Sequence, residues 1–293
     1  MRWGWGALMI VLLCMPVMAA AGSACRQDSL RISSIPVKNM SGLIDEYQPL
    51  ANVLGQGLGI PVRILHASSY EAVVDALVSG GTDIARLGPA SYLQAWKQNP
   101  DIEAFATLQQ AAGHFSPAGS YYHSLLVTRS DSKLLSLASL RGRRVALGDP
   151  ASTSGALIPR QLLPGVIGEP LGTYFARQVY TGSHDRALDA VLNGRVDAAF
   201  ISSTRADEYL ARQLIDTDTV QVVWRSQPIH YDPLVFSAGV CEHLKERILN
   251  LMTAPTPELE VFLQSQRAVA IVPVDHAAYA PLLPLLSGRE GMD

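Results

Sequence analysis

Apolar positions along this chain alternate between two periods. Residues 30–35 switch between apolar and polar and stop at Pro36, which predicts a first strand. Residues 47–54 begin a helix that the glycines at 55, 57 and 59 are expected to end, and residues 60–65 read as a second strand. Ser68-Ser69-Tyr70 caps a helix whose Ala72, Val73, Ala76 and Leu77 recur at helical spacing up to Gly80-Gly81. Residues 83–89 form a third strand running into a turn, and residues 90–96 a further helix. Strands alternating with helices of this length predict parallel βαβ units, with ligands at the carboxyl ends of the strands.

After the turn-rich break at Ser116-Pro117-Ala118-Gly119, residues 121–128 read as a strand crossing into a second lobe. A buried strand at 145–147 is broken by Asp149-Pro150, and Ser152, Thr153 and Ser154 then stand where a helix should begin. Pro159, in the first turns of that helix, should remove one internal bond and kink it. A short strand at 179–180, a helix from Ser183-His184 to Asn193-Gly194 and strands at 196–201 and 220–224 follow. Residues 230–236 make the return crossing, and helices near 242–253 and 257–266 complete the first lobe. Residues 70–85 and 184–199 share one pattern: helix, tight turn, Asp, buried strand. It suggests two similar lobes, although such spacing is too common to prove duplication.

Composition narrows the class. With 293 residues, 48% hydrophobic and only 17% charged, the chain is globular and long enough for two lobes. Its 26 acidic and 23 basic residues leave −3, which offers nothing to nucleic acid or an anionic membrane. Arg2, an apolar run over 8–18 and small residues over 19–24 make a secretory signal peptide, so residues 1–24 are expected to be removed and the protein exported to the periplasm. Cleavage after Ala24 would leave Cys25 first, the arrangement of a lipid anchor, but Gly22 stands where such sites carry Leu. Cys25 and Cys241 remain after export; a structural disulfide or an inert buried Cys241 is the expected outcome, with distance undetermined.

Three hydroxyls at a helix start have two readings. They cap an ordinary helix, or they join its free N–H groups in holding a tetrahedral oxyanion. No Gly-Lys-Ser/Thr phosphate loop occurs, and Cys241-x-His243 with the scattered histidines lacks metal-ligand spacing, so no cofactor or metal is expected. Ser154, His184 and Asp232 (or Asp197) can be drawn as a hydrolase triad, but Ser154 lies outside any Gly-x-Ser-x-Gly elbow.

Taken in order, several pieces of the chain resemble the PhnD-like family, the phosphonate-, phosphite- and phosphate-binding periplasmic proteins of ABC transporters. They are Tyr70-Glu71-Ala72 with Gly81-Thr82-Asp83-Ile84-Ala85, Tyr122-His123-Ser124-Leu125-Leu126-Val127, and Gly148-Asp149-Pro150-Ala151-Ser152-Thr153-Ser154-Gly155. Ser183-His184, residues 191–197 and Asp232-Pro233-Leu234-Val235 complete the match, over roughly residues 30 to 265. The resemblance turns the capping question toward the anion. It implies a two-lobed α/β Venus-flytrap of type II, each lobe a mainly parallel sheet flanked by helices, with two crossing strands as hinge. Residues 25–120 plus 229–293 would form lobe 1 and residues 121–228 lobe 2. Ser152, Thr153 and Ser154 would grip the anion, Tyr70 and Tyr122 would reach the same oxygens, and His184 would donate to it. A dianion beside His184 would raise its pKa.

Two departures bear on the ligand. Where relatives that take aminoalkyl phosphonates resemble one another in carrying a carboxylate for the ammonium, this chain has Thr204, although Asp232 is kept. Arg86 stands where the family has a large apolar or aromatic residue. The expected ligand therefore lacks an amine, and the expected partner is an ABC permease, with the protein itself a monomer and not an enzyme. The same shape also serves sensors that signal to a membrane histidine kinase, some through a cysteine that senses arsenic oxyanions. Cys241 is the candidate for that alternative.

Overall fold

The computed structural model of the protein describes Met1, Cys25, residues 27–37 and residues 40–287. The expected signal peptide, Met1 apart, lies outside the described residues. The first lobe opens with β1 (Leu30–Ser34), α1 (Met40–Leu58), β2 (Val62–Leu65), α2 (Tyr70–Val78), β3 (Ile84–Arg86), α3 (Pro89–Gln98) and β4 (Glu103–Gln110). Then come β5 (Tyr121–Tyr122), β6 (Ser124–Arg129), β7 (Arg144–Leu147) and a π-helical turn over Thr153–Leu157 that runs into α4 (Ile158–Leu162). The chain continues through α5 (Pro164–Ile167), α6 (Leu171–Tyr174), β8 (Arg177–Tyr180), α7 (His184–Leu192), β9 (Ala198–Ser202), α8 (Ser203–Ala211) and β10 (Val220–Arg225). It returns by β11 (Ile229–His230) and β12 (Pro233–Phe236) to α9 (Glu242–Thr253), α10 (Pro257–Ser265) and β13 (Ala268–Pro273).

These strands build a six-stranded sheet, β13-β4-β12-β3-β1-β2, and a five-stranded sheet, β10-β6-β9-β7-β8, each with buried apolar clusters under its helices. The short pair β11-β5 lies where the chain passes between them. Both sheets are mixed, which corrects the expectation of mainly parallel ones. β1 runs parallel to β2 and β3, and β7 to β8 and β9, where helices make the crossovers. β12, β4 and β13 pair antiparallel, as do β6 and β10 with their neighbours, because those strands arrive by crossing or by hairpin-like returns.

Two expectations about helices change. α1 begins at Met40 and runs through Pro49 and glycines 55 and 57, because its stripe of Leu43, Tyr47, Leu50, Leu54 and Leu58 packs into the core. Packing of that face outweighs weak local propensity. Pro159 breaks nothing. The π turn runs into α4 through it, and the carbonyls one turn back are taken from outside the helix, that of Ser154 by Ser124 Oγ and that of Gly155 by the Gly148 N–H.

The repeated pattern is a real structural repeat. Ser69 accepts the Ala72 N–H ahead of α2, and Ser183 accepts the Arg186 N–H ahead of α7. Both helices run for 9 residues and end at a left-handed glycine, Gly80 or Gly194. Asp83 then takes the backbone N–H and guanidinium of Arg31 on β1, and Asp197 takes those of Arg144 on β7. Each unit thus pins the strand after its helix to the parallel strand beside it. Tyr70 and His184 are the first residues of the two matching helices.

Cys25 and Cys241 form a disulfide that ties the N-terminal segment to the start of α9. The bond occupies the Cys25 sulfur to which a lipid would attach, so anchoring there and this disulfide exclude one another. Among the described residues no helix is long and apolar enough to cross a membrane.

Candidate functional site

Tyr70, Arg86, Tyr122, Ser152, Thr153, Ser154, His184, Thr204 and Asp232 all border one cavity of about 50 Å³ between the two sheets. That volume suits one small oxyanion or a few waters. The sequence placed them far apart; the topology brings them together, because the carboxyl ends of β1, β3, β7 and β9 face one another across the crossing strands.

Five helical starts converge there: those of α2 at Tyr70, α3 at Gly88, the π turn at Ser152, α7 at His184 and α8 at Ser202. Each brings a partial positive charge to the same space. The π turn is locally widened, since the Ser152 carbonyl accepts both the Ala156 and the Leu157 N–H. Ser152 Oγ also caps the turn by accepting the Gly155 N–H at 3.1 Å. The capping and anion readings of this stretch are therefore compatible, because the Ser152 proton stays available to donate.

Thr153 joins the lobes. Its Oγ1 accepts the Ala90 N–H of α3 at 2.9 Å, and Ser91 Oγ donates to the Ala151 carbonyl at 3.0 Å. α3 has Gly88 as N-cap with no side chain to offer, so the other lobe supplies the cap. A Cβ at Gly88 would sit 3.2 Å from Thr153 Oγ1, so the glycine permits this close approach. Tyr70 and Tyr122 border the same cavity as the three hydroxyls. Burial pushes both phenols well above their ordinary values, so they remain neutral donors.

His184 carries no charge in the ligand-free site. Its Nε2 lies 3.4 Å from both Ser152 Oγ and Ser154 Oγ, and burial followed by the nearby Arg205 pushes its pKa down to about 4. The raised value expected beside a dianion is not that of the site as it stands; the ring is neutral. The unfolded chain binds a proton near the ordinary 6.5, and the folded site refuses it until about 4. Stability of the ligand-free protein should therefore fall as pH drops across that window, by about 3 kcal/mol in total. Denaturant midpoints measured against pH check this, and His184→Asn should flatten the profile. An unchanged profile in that variant would rule out the buried neutral ring.

The same geometry bears on the triad. His184 Nδ1 has no hydrogen-bond partner among the described residues, Asp232 is engaged by Arg86 and Asp197 by Arg144. Among the described residues no carboxylate orients the ring, as a serine hydrolase requires. Among the described residues no group of three or more metal-ligating side chains occurs. Cys241 does not border the cavity and its sulfur is bonded to Cys25, which removes the thiol that cysteine-based arsenic sensing needs.

Arg86 does not point to solvent. It is 7% exposed, donates to Asp232 Oδ2 at 3.2 Å, Tyr231 Oη at 2.9 Å and Gln266 Oε1 at 2.8 Å, and lies over the Tyr231 ring. Burial alone would lower its pKa, but Tyr231, Tyr47 and Asp232 hold it well above the ordinary value, so the guanidinium stays charged. Asp232 is pushed up by burial and pulled back by Arg86. Thr204 Oγ1 donates to Ser202 Oγ at 3.3 Å and supplies no charge. Sequence reasoning missed Tyr231, Gln266, Arg205 and Arg267, which also border the cavity. Only Tyr231, beside Asp232, lay within a stretch already singled out.

Two α/β lobes joined by crossing strands around an anion-suited cavity define a bilobal solute-binding protein. Residues 32–279 match the family described as ABC transporter, phosphonate, periplasmic substrate-binding protein, and the chain belongs to that family. It is a family of periplasmic transport proteins that bind substrates rather than transform them. The chain is 27% identical over 271 residues to the phosphate-import protein PhnD of Mycolicibacterium smegmatis, covering 86% of this chain and 83% of that one. It is 27% identical over 245 residues to the phosphonates-binding periplasmic protein of Escherichia coli, covering 82% and 70%. In fold it is similar to PhnD1 of Prochlorococcus marinus in complex with methylphosphonate, with a TM-score of 0.77, 18% identity and coverage of 90% and 99%. A binding protein component of an ABC phosphonate transporter from Pseudomonas aeruginosa gives a TM-score of 0.80 at 22% identity, with coverage of 90% and 87%.

Proposed function

We propose that this chain captures a small phosphorus oxyanion without an amino group (phosphate, phosphite or a short phosphonate) and delivers it to an ABC permease. The observation that carries the reading is the convergence of five helical starts and three adjacent hydroxyls on one small buried cavity. Ser152, Thr153 and Ser154 hold the oxygens, with Tyr70, Tyr122 and His184 as neutral donors. Four or five charge-assisted bonds at ~1.5–3 kcal/mol each, less closure and desolvation, support micromolar or tighter binding. The absence of an amine from the ligand follows from Arg86, which already occupies the Asp232 carboxylate that an ammonium would need. Residues 1–24 direct export and are removed with it, residues 25–120 plus 229–293 close on residues 121–228, and the protein acts as a monomer without catalysis.

Calorimetry with phosphate, phosphite, methylphosphonate, 2-aminoethylphosphonate and sulfate tests the reading. At least one of the first three should bind at micromolar Kd or below, and 2-aminoethylphosphonate more weakly. Failure of all three, or tightest binding of the amine, would overturn it. Ser154→Ala should weaken the best ligand by about tenfold or more with an unchanged melting temperature; an unchanged affinity removes Ser154 from the site.

A further inference from the structure

Beyond Thr204 the anion cavity adjoins a chamber of about 10 Å³ bordered by Gln110, Ser116, Thr204, Asp207 and Arg267. Gln110, Thr204 and Arg267 border both spaces. Gln110 and Asp207 are 5% and 4% exposed, yet Gln110 Nε2 and Asp207 Oδ2 have no hydrogen-bond partner within the described residues. Native proteins leave few such atoms, and two of opposite sense on residues bordering one chamber call for a common explanation.

The carboxyl cannot turn away to find water. Its Oδ1 accepts the Phe115 N–H at 2.9 Å, and the loop carrying Gly113 packs so close that a Cβ there would come within 2.2 Å of Oδ2. Gln110 and Asp207, one carrying the unpartnered donor and the other the unpartnered acceptor, thus both border a space of about one oxygen atom. A hydroxyl satisfies both at once, accepting from Gln110 Nε2 and donating to Asp207 Oδ2. An ammonium has only protons to give, leaves the Gln110 donor unmet and would share the chamber with a second cation, Arg267, at its border.

We infer that this chamber is a subsite for a hydroxyl on the phosphorus substituent, so that the protein prefers short hydroxyalkylphosphonates to their unsubstituted analogues. The inference rests on the anion reading above and adds a second contact point to it. With phosphate or methylphosphonate a water molecule takes the place of the hydroxyl.

Calorimetry on the full chain compares 2-hydroxyethylphosphonate, ethylphosphonate and 2-aminoethylphosphonate, with methylphosphonate and phosphate as controls. The hydroxyl compound should bind about tenfold or more tightly than ethylphosphonate. Asp207→Asn should reduce that ratio to below about threefold while methylphosphonate affinity stays within about threefold of wild type, and Gln110→Met should reduce the ratio as far. Equal binding of the hydroxyethyl and ethyl compounds with the controls intact shows a water site only and overturns the inference, leaving the anion reading standing. Preference for the amine also overturns it. If no phosphorus compound binds, the anion reading has failed and the subsite falls with it. Should either variant not fold, the wild-type ratio alone decides.

Discussion

Arg86→Met is expected to lower stability by about 3–5 kcal/mol, because it leaves Asp232 buried beside no counter-ion. Gln266 Oε1 and the Tyr231 hydroxyl lose their donor in the same step. For a chain of this size that loss corresponds to a fall in melting temperature of roughly 10 °C. Arg86→Met combined with Asp232→Leu should recover most of it, since an apolar pair of similar volume removes both desolvation costs together. The ligand profile should change in the single variant Arg86→Met. With the guanidinium gone, Asp232 becomes the one unneutralised carboxylate at that end of the cavity, and an ammonium can take its place. Affinity for 2-aminoethylphosphonate should rise by about tenfold or more relative to wild type, while phosphate affinity falls. Calorimetry and thermal melts decide. A loss below 1 kcal/mol with an unaltered ligand order would mean that Arg86 neither stabilises the cleft nor selects its ligand.

The local elements and the candidate site were more legible in the sequence than the way they pair. Ser69 and Ser183, each opening a 9-residue helix that ends at Gly80 or Gly194, carry their caps and stops in plain view. What the pattern did not show is that Asp83 and Asp197 hold the Arg beside them, since those arginines come 52 and 53 positions earlier. β4 escaped notice because it lies between β12 and β13 and is buried over most of its length, which erases the period-two signal. β13 follows a helix directly and is half-exposed on an edge, so its alternation is equally weak. Ser152, Thr153 and Ser154 could be named as a site from three adjacent hydroxyls and their neighbours. Arg86 could be flagged as unusual, but its direction depends on Gln266, which lies 180 positions away. Charge followed the same rule: His184 was visible, and its neutrality came only with the burial and Arg205 that surround it.

Thr153→Val should weaken anion binding by roughly 100-fold, the largest affinity change expected of a near-isosteric substitution in this cavity. One hydroxyl there serves two ends. It accepts the Ala90 N–H from the first lobe, which caps α3, and it keeps its proton for an anion in the cavity. Binding and closure are therefore coupled through a single oxygen: an anion that takes the Thr153 proton polarises the oxygen that holds α3. Valine removes the donor to the anion, about 1.5–3 kcal/mol and by itself about 10- to 150-fold in affinity, and the cross-lobe cap, about 1 kcal/mol, which is lost with or without ligand and so tells on stability. Without ligand, only the cap is lost, so the melting temperature should fall by a few degrees. Thr153→Ser restores the hydroxyl and should bind within about threefold of wild type. Small-angle scattering adds the conformational half of the test, with the valine variant more extended than wild type at equal ligand saturation. If valine binds within threefold of wild type, the hydroxyl holds the lobes together without touching the anion, and the coupling does not exist.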